Sequence, residues 1–226
     1  MIKLINVSKI YPPDVKALVN INLHINPGEF VSVVGQSGSG KTTIIKSIIC
    51  EEKIDEGKIL VGNWDITNLR KNAIPALRRQ IGVIFQDFKL LPAKTLKENV
   101  AFALQVCGQP PKKINTIVPQ VLKIVGLENK MDRYPNEVSG GEQQRAAIAR
   151  SLVHRPKILL ADEPTGNLDS INAEEIIDLL LRINKFGTTV VLVTHNREIV
   201  NRLKKRVIVI ENGSIVSDQE MGKYAL

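Results

Sequence analysis

The sequence reads GQSGSGKT at residues 35–42, with two glycines five positions apart followed by a lysine and a hydroxyl residue. This is the pattern of a phosphate-binding loop. An apolar run at 30–34 precedes it and helix-like apolar spacing follows from Thr42, so the loop connects a strand to a helix. A Gly/Ser-rich turn that only links strand to helix would not need Lys41 and Thr42 at that offset. We therefore expect a nucleoside triphosphate to be bound here, by Gly35, Gln36, Ser37, Gly38, Ser39, Gly40, Lys41, Thr42 and Thr43.

The last residues of the loop have separate predicted roles. Small residues let the backbone curl, so that successive N–H groups face phosphate oxygens beside the positive end of a helix dipole. Lys41 would reach the β and γ phosphates, and the Thr42 hydroxyl would ligate Mg²⁺.

Composition indicates an ordinary globular protein. The chain has 226 residues, of which 43% are hydrophobic and 24% charged, enough for one large domain or a core with a subdomain. No apolar stretch approaches the roughly 18 residues that span a bilayer, and residues 1–13 do not resemble a secretory signal, so we expect the protein to stay in the cytosol. Cys50 and Cys107 lie far apart without a metal-ligand pattern, which favours small core residues over a disulfide.

The formal net charge of +8 suggests either nucleic acid or the anionic inner face of a membrane as a partner. The basic residues come in small groups without interleaved aromatic residues, whereas a single-strand-binding surface would combine the two. We therefore interpret most of them as solvated faces and expect no nucleic acid.

The N-terminal region has the pattern of antiparallel strands. Residues 1–10 resemble a strand, and residues 17–26 alternate, with Val19, Ile21, Leu23 and Ile25 on one side and polar residues, including His24, on the other. A further short strand is predicted at 57–65, and an Asn-Gly turn at 212–213 predicts a hairpin near the C-terminus. Tyr11, followed by two prolines, could stack on a base or pack on the core; residue chemistry alone favours packing.

The middle of the chain departs from strand–helix alternation. An apolar strand at 81–85 ends in Gln86, and helical patterns follow at 95–106 and 117–125, separated by a proline-rich break at 108–113. We interpret residues 87–137 as a helical insertion and as a candidate partner surface.

Another motif, SGGEQ, begins at Ser139 and opens a helix that runs to about residue 154. Ser139 and Glu142 have the spacing of a capping box, which would by itself explain the motif. Gly140 and Gly141 destabilise a first helical turn, however, and a cap does not require them. They are better explained if an anion approaches the backbone closely at the helix N-terminus. Gln143 lies in the same first turn and would be near this anion.

Two further apolar strands end in functional side chains. Residues 157–161 lead into Asp162 and Glu163, and residues 188–193 lead into Thr194 and His195. Ligands gather at the carboxyl ends of parallel strands. Asp162 would hold Mg²⁺ through water and Glu163 would polarise the attacking water as general base, while His195 would project towards the γ-phosphate. The alternatives are an acidic turn before Pro164 and a histidine that is only hydrogen-bonded in place.

Together these residues resemble the ATP-binding subunits of ABC transporters. The matching motifs are the phosphate loop, Gln86 at a strand end, SGGEQ at 139–143, LLADEP at 159–164 and His195, in the family's order and approximate spacing. The resemblance covers essentially the whole chain. It implies a P-loop NTPase of α/β class, a single ATP-binding domain over 1–226 with a parallel core sheet, an N-terminal antiparallel β subdomain and the helical insertion.

The family resemblance also implies a Mg²⁺-dependent ATPase that works as a head-to-tail homodimer. Each ATP would lie between the phosphate loop of one copy and Ser139 with its following N–H groups in the other. Tyr11 would stack on adenine, Gln86 would sense Mg²⁺ and the lytic water, Asp169 would contact the facing subunit, and His195 would hold the γ-phosphate and the water.

Within the family, FQDFKLLP at 85–92 and a short C-terminal stretch ending near Tyr224 resemble a cell-division branch whose ATPase works beneath a membrane protein. We therefore expect a peripheral protein on the cytoplasmic face of the membrane, with its partner contacting Phe88, Leu90 and Leu91. EPTGNLD at 163–169 is shared with lipoprotein-release and macrolide-export ATPases, so an exporter remains an alternative. A soluble ABC ATPase acting on nucleic acid or ribosomes is a further one.

Overall fold

The computed structural model describes residues 1–222, and Tyr224 lies outside the described residues. The described strands are β1 (Ile2–Tyr11), β2 (Val15–Ile25), β3 (Phe30–Val34), β4 (Glu56–Val61), β5 (Trp64–Asp65), β6 (Ile81–Ile84), β7 (Ile158–Asp162), β8 (Thr189–Val193), β9 (Arg206–Glu211) and β10 (Ser214–Gln219). The helices are α1 (Lys41–Ile48), α2 (Ile74–Arg78), α3 (Leu96–Val106), α4 (Pro111–Ile124), α5 (Gly140–Leu152), α6 (Ser170–Lys185) and α7 (Arg197–Leu203), with 3₁₀ turns at Glu128–Lys130 and Pro135–Glu137.

A six-stranded sheet in the order β10-β9-β3-β8-β7-β6 forms the centre. The four pairings from β9 to β6 are parallel, and β10 pairs antiparallel with β9 at the edge. Both faces are covered: along β8, Val190 and Leu192 belong to one hydrophobic cluster while Val191 and Val193 belong to the other. A parallel sheet buried on both faces needs apolar residues at successive positions. The predicted α/β class with a parallel core sheet is confirmed.

The second sheet, β2-β1-β4-β5, is antiparallel, as predicted for the N-terminal region. One detail of the predicted alternation is wrong, because Val19 is exposed and Leu18 is buried. Asn20 has φ 50, and the pairing shifts from Val7–Ile21 to Lys9–Leu18. This bulge turns the side chains before it to the opposite faces. His24 is exposed, as predicted.

Helices α3 and α4 pack together and against α5, with Leu104, Val118 and Ile148 in one cluster. Thr95 caps α3 with a complete capping box. The predicted break at 108–113 is too long, because α4 begins at Pro111. A proline is compatible with the first turn of a helix, where its missing N–H is not needed. Whether residues 87–137 act as a separate subdomain remains a prediction.

Two predictions about the whole chain concern membranes and cysteines. In the part of the chain from 1 to 222, no helix combines the length and the apolar composition that a bilayer crossing demands. Cys50 and Cys107 are free thiols and both are half buried, so neither is a fully buried core residue, although Cys50 packs against a core cluster. Each lies just beyond the end of a helix, Cys50 after α1 and Cys107 after α3.

Candidate functional site

The phosphate loop follows β3 and is held by segments distant in sequence. A side chain at Gly40, which has φ 104, would collide with the Ala17 carbonyl, and one at Gly35 would collide with the Ile210 carbonyl. The Gly213 N–H donates to the Ser39 carbonyl at 3.1 Å. Strand β2 and the β9–β10 hairpin therefore support the loop from outside, and only glycine fits at 35 and 40.

Lys41 begins α1 and points back into the loop. It is only 7% exposed, and its Nζ donates to the carbonyls of Gly35 at 2.9 Å and Gln36 at 2.7 Å. Burial lowers the pKa of Lys41, while the nearby carboxylates of Glu163 and Asp162 act in the opposite direction. The ammonium group is therefore held at the centre of the loop, beside the helix N-terminus that attracts anions.

Asp162 at the end of β7 meets the first helix of the loop. The Thr42 hydroxyl donates to Asp162 Oδ1 at 3.2 Å. Burial raises the pKa of Asp162, and the Thr42 hydrogen bond opposes this effect. The structure thus brings together the hydroxyl and the carboxylate that the sequence predicted as oxygen ligands for Mg²⁺.

Glu163 and His195 lie together at the ends of neighbouring strands. The pairing of Asp162 with Val193 places β7 beside β8, and the Glu163 N–H donates to the Val193 carbonyl at 2.9 Å. Glu163 has φ 47, and its Oε1 lies 2.7 Å from His195 Nδ1. The glutamate side chain is 15% exposed and the imidazole 68% exposed. A carboxylate held in a sharp turn and oriented by an imidazole has the geometry of a positioned general base.

Gln86 lies against the turn that follows Glu163. Because Ile84 pairs with Ala161, the end of β6 is beside the end of β7. The Asn167 side chain donates to the Gln86 carbonyl at 3.3 Å, and a side chain at Gly166 would lie 3.1 Å from Gln86 Nε2. The Gln86 side chain is exposed beside this turn, at the edge of the sheet where the other predicted residues gather.

Ser139 and Glu142 form the predicted capping box at the start of α5. The Glu142 N–H donates to Ser139 Oγ, and the Ser139 N–H donates to Glu142 Oε2. Lys130, 2.6 Å from the carboxylate, lowers the pKa of Glu142. Gln143 Nε2 donates to the Val138 carbonyl at 3.3 Å. Within residues 1–222 no hydrogen bond joins 139–143 to the phosphate loop, so the two motifs form separate surfaces of one chain.

The two glycines of this motif have different surroundings. A side chain at Gly141 would have to displace the side chain of Asn172 on α6, so packing within the chain by itself favours glycine there. A side chain at Gly140 would meet only Leu168 at 3.6 Å and Phe88 at 3.8 Å, which is ordinary contact. An approaching ligand is therefore not needed to explain Gly141. That a ligand explains Gly140 stays a prediction.

Asp169 is the N-cap of α6 and is exposed. Its Oδ1 accepts from the Asn172 N–H at 2.9 Å and its Oδ2 from Asn172 Nδ2 at 2.6 Å. The backbone hydrogen bond from Asn172, followed by its side-chain bond, lowers the pKa of Asp169. The carboxylate is therefore charged and fixed in place at the surface.

Tyr11 lies at the end of β1, where it pairs with Val15. The ring is half buried, and Lys9 Nζ lies 5.4 Å from its centroid. Val15 comes two residues before Ala17, whose carbonyl abuts Gly40. Tyr11 is thus on the strand pair that supports the phosphate loop.

Sequence reasoning missed two polar residues of α5 that connect the motifs. Gln144 is fully buried, and its Nε2 donates to the Pro164 carbonyl at 2.5 Å. Arg150 donates to the Lys89 carbonyl at 2.6 Å and the Phe88 carbonyl at 2.9 Å. The sequence does contain a signal for them, because this glutamine and this arginine occur among the alanine and isoleucine residues of an otherwise apolar helix.

The predicted partner surface is part of this connected region. Phe88 and Lys89 have positive φ angles of 53 and 52, and Arg150 holds their carbonyls. Phe88, Leu90 and Leu91 are all half buried, and Leu90 packs on the core cluster. Phe88, Leu90 and Leu91 therefore form a partly exposed apolar edge, which lies between the end of β6 at Gln86 and the start of α5.

Comparison with known proteins agrees with this arrangement. The family model described as ABC transporter matches residues 18–166. The chain is 54% identical to the cell division ATP-binding protein FtsE of Bacillus subtilis, over 99% of this chain and 98% of that protein. It is 48% identical to the protein of the same name from Mycobacterium tuberculosis, over 100% of this chain and 99% of that protein. The dimeric post-hydrolysis structure of the ATP-binding cassette MJ0796 with ADP and Pi matches at a TM-score of 0.89 and 37% identity, over 99% of this chain and 100% of that chain.

Proposed function

Because the chain belongs to the ABC transporter family of ATP-binding proteins, we propose that this ATPase is of the FtsE type and works with a membrane protein of the FtsX type. ATP-driven dimerisation would thereby control cell-wall hydrolysis at the division site. The observation that carries the proposal is the 54% identity to a cell-division relative over 99% of the chain. Family motifs alone would support an exporter equally well.

The phosphate loop and strand ends support binding of ATP with Mg²⁺. Residues 35–43 would surround the phosphates, and Lys41 would exchange its loop carbonyls for phosphate oxygens. No cluster of three or more His, Cys, Asp or Glu side chains suited to a metal occurs in the described chain. The oxygens of Thr42, Asp162 and Gln86 nevertheless fit Mg²⁺, which keeps several waters and takes few protein ligands beside substrate phosphates. The ion would neutralise charge on the phosphates.

The contact between Glu163 and His195 supports a role in hydrolysis. Glu163 would accept a proton from the attacking water, since its carboxylate is held at the strand end beyond Asp162. His195 at 2.7 Å orients that carboxylate and would face the γ-phosphate with the ring nitrogen that Glu163 does not contact. Gln86, beside the same turn, would position the water.

We place the second half of each nucleotide site on another copy of the chain. Ser139 and the following N–H groups form an anion-attracting helix start that its own phosphate loop does not use. Gly140 leaves this start open, and Asp169 is fixed at the surface nearby. A head-to-tail homodimer would bring Ser139 to the γ-phosphate of the facing copy and Asp169 to the interface, with Tyr11 stacked on adenine.

The membrane partner would bind the apolar edge formed by Phe88, Leu90 and Leu91. Arg150 ties this edge to α5, and Phe88 lies near Gly140, so a partner could respond to the state of both strand end and signature helix. The protein would then be peripheral, on the cytoplasmic face of the membrane.

The catalytic assignment is tested by Glu163→Gln, which keeps the size of the side chain and removes the base. ATP turnover should fall by about 10²–10⁴-fold, while ATP binding persists and size-exclusion chromatography with ATP shows a dimer. Glu128→Gln, an exposed change in a 3₁₀ turn, is the matched control and should leave turnover unchanged. Persistent turnover together with a monomer in ATP would refute both base and interface.

The partner assignment is tested by Phe88→Asp in protein purified from its own cells in mild detergent. Loss of the co-purifying membrane protein with ATP binding intact is expected, whereas Phe186→Asp, at a side chain 91% exposed on another surface, should retain it. Retention by Phe88→Asp would place the contact elsewhere. Recovery of an export permease in place of division proteins would change the biological role and leave the ATPase assignments standing.

A further inference from the structure

A cavity of about 280 Å³ lies away from the nucleotide-binding edge of the sheet. Its charged lining comes from three places: Arg79 just before β6, Lys113 in the first turn of α4, and Arg155 just before β7. Cys107 and Gln109, after α3, and His154, after α5, complete the polar lining. The cavity therefore lies near the amino ends of β6 and β7, whereas Gln86 and Asp162 lie at their carboxyl ends.

The three basic side chains line this cavity without an acidic residue beside them. No acidic residue lines it, and among residues 1–222 none of the three side chains has an ion pair or hydrogen bond. Some other arginines have carboxylate partners: Arg145 pairs with Glu175, and Arg206 with Asp218. The three residues are exposed, so solvent screens their repulsion, but like charges around a concave space raise the local concentration of a negative ligand.

His154 is half buried and contributes its imidazole ring to the cavity wall. Both ring nitrogens of His154 are inaccessible to solvent and form no hydrogen bond of ordinary geometry with a described residue. Burial lowers the pKa of His154, and the Ile81 carbonyl opposes this more weakly.

We propose that this cavity binds a small organic phosphate, separately from the ATP site. Two guanidinium groups and an ammonium group suit a dianionic phosphate, which arginine can bind in a bidentate manner. Leu104, Ile117 and Val153 line the same space and would contact the organic part. The volume is slightly below the range typical of drug-sized ligands, which indicates a small metabolite.

A phosphate held there would connect two parts of the fold. Cys107 and Lys113 belong to the α3–α4 segment, whereas Arg79 and Arg155 belong to segments leading into the central sheet. The ligand would therefore tie the helical segment to the core, on the side opposite to the nucleotide.

The reactivity of Cys107 reports on the cavity and that of Cys50 serves as an internal reference. The full-length protein is first saturated with ADP and Mg²⁺, so that the phosphate loop is filled. Alkylation of both thiols is then followed by mass spectrometry during titration with glycerol 3-phosphate or inorganic phosphate, and with sodium chloride at matched ionic strength. We expect saturable slowing, at least threefold, at Cys107 alone and with the phosphates alone, glycerol 3-phosphate acting at lower concentration.

Variants of the lining separate a site from general charge. Lys113→Gln and Arg155→Gln should each raise the half-saturating concentration roughly tenfold, because each removes a charged hydrogen-bond donor. Lys112→Gln, the neighbouring change outside the cavity, should leave the half-saturating concentration unaltered.

The proposal is overturned if phosphates do not slow Cys107, if chloride slows it equally, or if the lining variants are protected like the wild type. Calorimetric titration of glycerol 3-phosphate into the ADP-saturated protein provides a second measurement. It must give the same half-saturation, and the absence of binding heat together with unprotected Cys107 would equally refute the site.

Discussion

Replacing Asn99 with leucine tests how the chain holds the segment that leads from the proposed partner surface into α3. Asn99 is fully buried. Its Oδ1 accepts from the Leu91 N–H at 2.7 Å, and its Nδ2 is shared by the carbonyls of Leu91 at 3.1 Å, Lys94 at 2.9 Å and Thr95 at 3.0 Å. Leucine has a similar shape and can make none of these bonds.

The size of the effect follows from which groups lose every partner. The Thr95 carbonyl still accepts from the Asn99 main-chain N–H at 2.9 Å, and the Leu91 carbonyl from the Lys94 N–H at 3.2 Å. The Leu91 N–H and the Lys94 carbonyl lose the hydrogen bonds that Asn99 supplies. An unpaired buried group costs about 1–3 kcal/mol. Since both are only partly buried, we expect the free energy of unfolding to fall by about 2–4 kcal/mol.

Thermal and urea unfolding measure this loss. For a loss of about 3 kcal/mol the thermal midpoint should fall by about 6–12 °C, and hydrogen exchange should accelerate across 91–94. Asn115→Leu makes the same change at an exposed position on α4 and should alter stability by less than about 0.5 kcal/mol. Asn99→Leu with the stability of the control, or with unchanged exchange at 91–94, would refute the reasoning.

Two further predictions concern the start of α5. Gly141→Ala should lower the free energy of unfolding by about 1–3 kcal/mol, because the added methyl group collides with Asn172. Thermal unfolding should show that adding Asn172→Ala to this variant restores part of the lost stability. Additive losses from the two changes would contradict the collision. Because Lys130 lowers the pKa of folded Glu142, this glutamate stabilises at neutral pH, and the contribution is lost as the pH falls through the lowered pKa. Urea unfolding at neutral and acidic pH should therefore show a weaker acid dependence for Glu142→Gln, and an unchanged dependence would contradict the ion pair.

Local patterns predicted most elements of the fold but not every register. The phosphate loop, the capping box at Ser139 and the hairpin at Asn212 depend on neighbouring residues, and the structure contains each of them. The alternation through Val19 was wrong because the bulge at Asn20 depends on pairing with β1. The start of α4 was missed because Pro111 indicates a break and a helix start equally well.

The partners of buried polar groups could not be predicted in the same way. Gln144 donates to Pro164, twenty positions away, and Arg150 to the carbonyl of Phe88, sixty-two positions away. Periodicity shows that such a residue lies on an apolar face, but only the packing of α5 against other segments shows what it contacts. For the same reason Gly141 could be assigned to Asn172 only from the structure.

The sequence by itself determined which side chains stand at strand ends and which loop has the phosphate-binding pattern, because these depend on residue types at short spacing. The tertiary structure decided which of them meet: Thr42 with Asp162, across 120 positions, and Glu163 with His195, across 32. Parallel pairing of β3, β8 and β7 brings their carboxyl ends to one edge, and the order of strands in a sheet depends on packing of the whole chain.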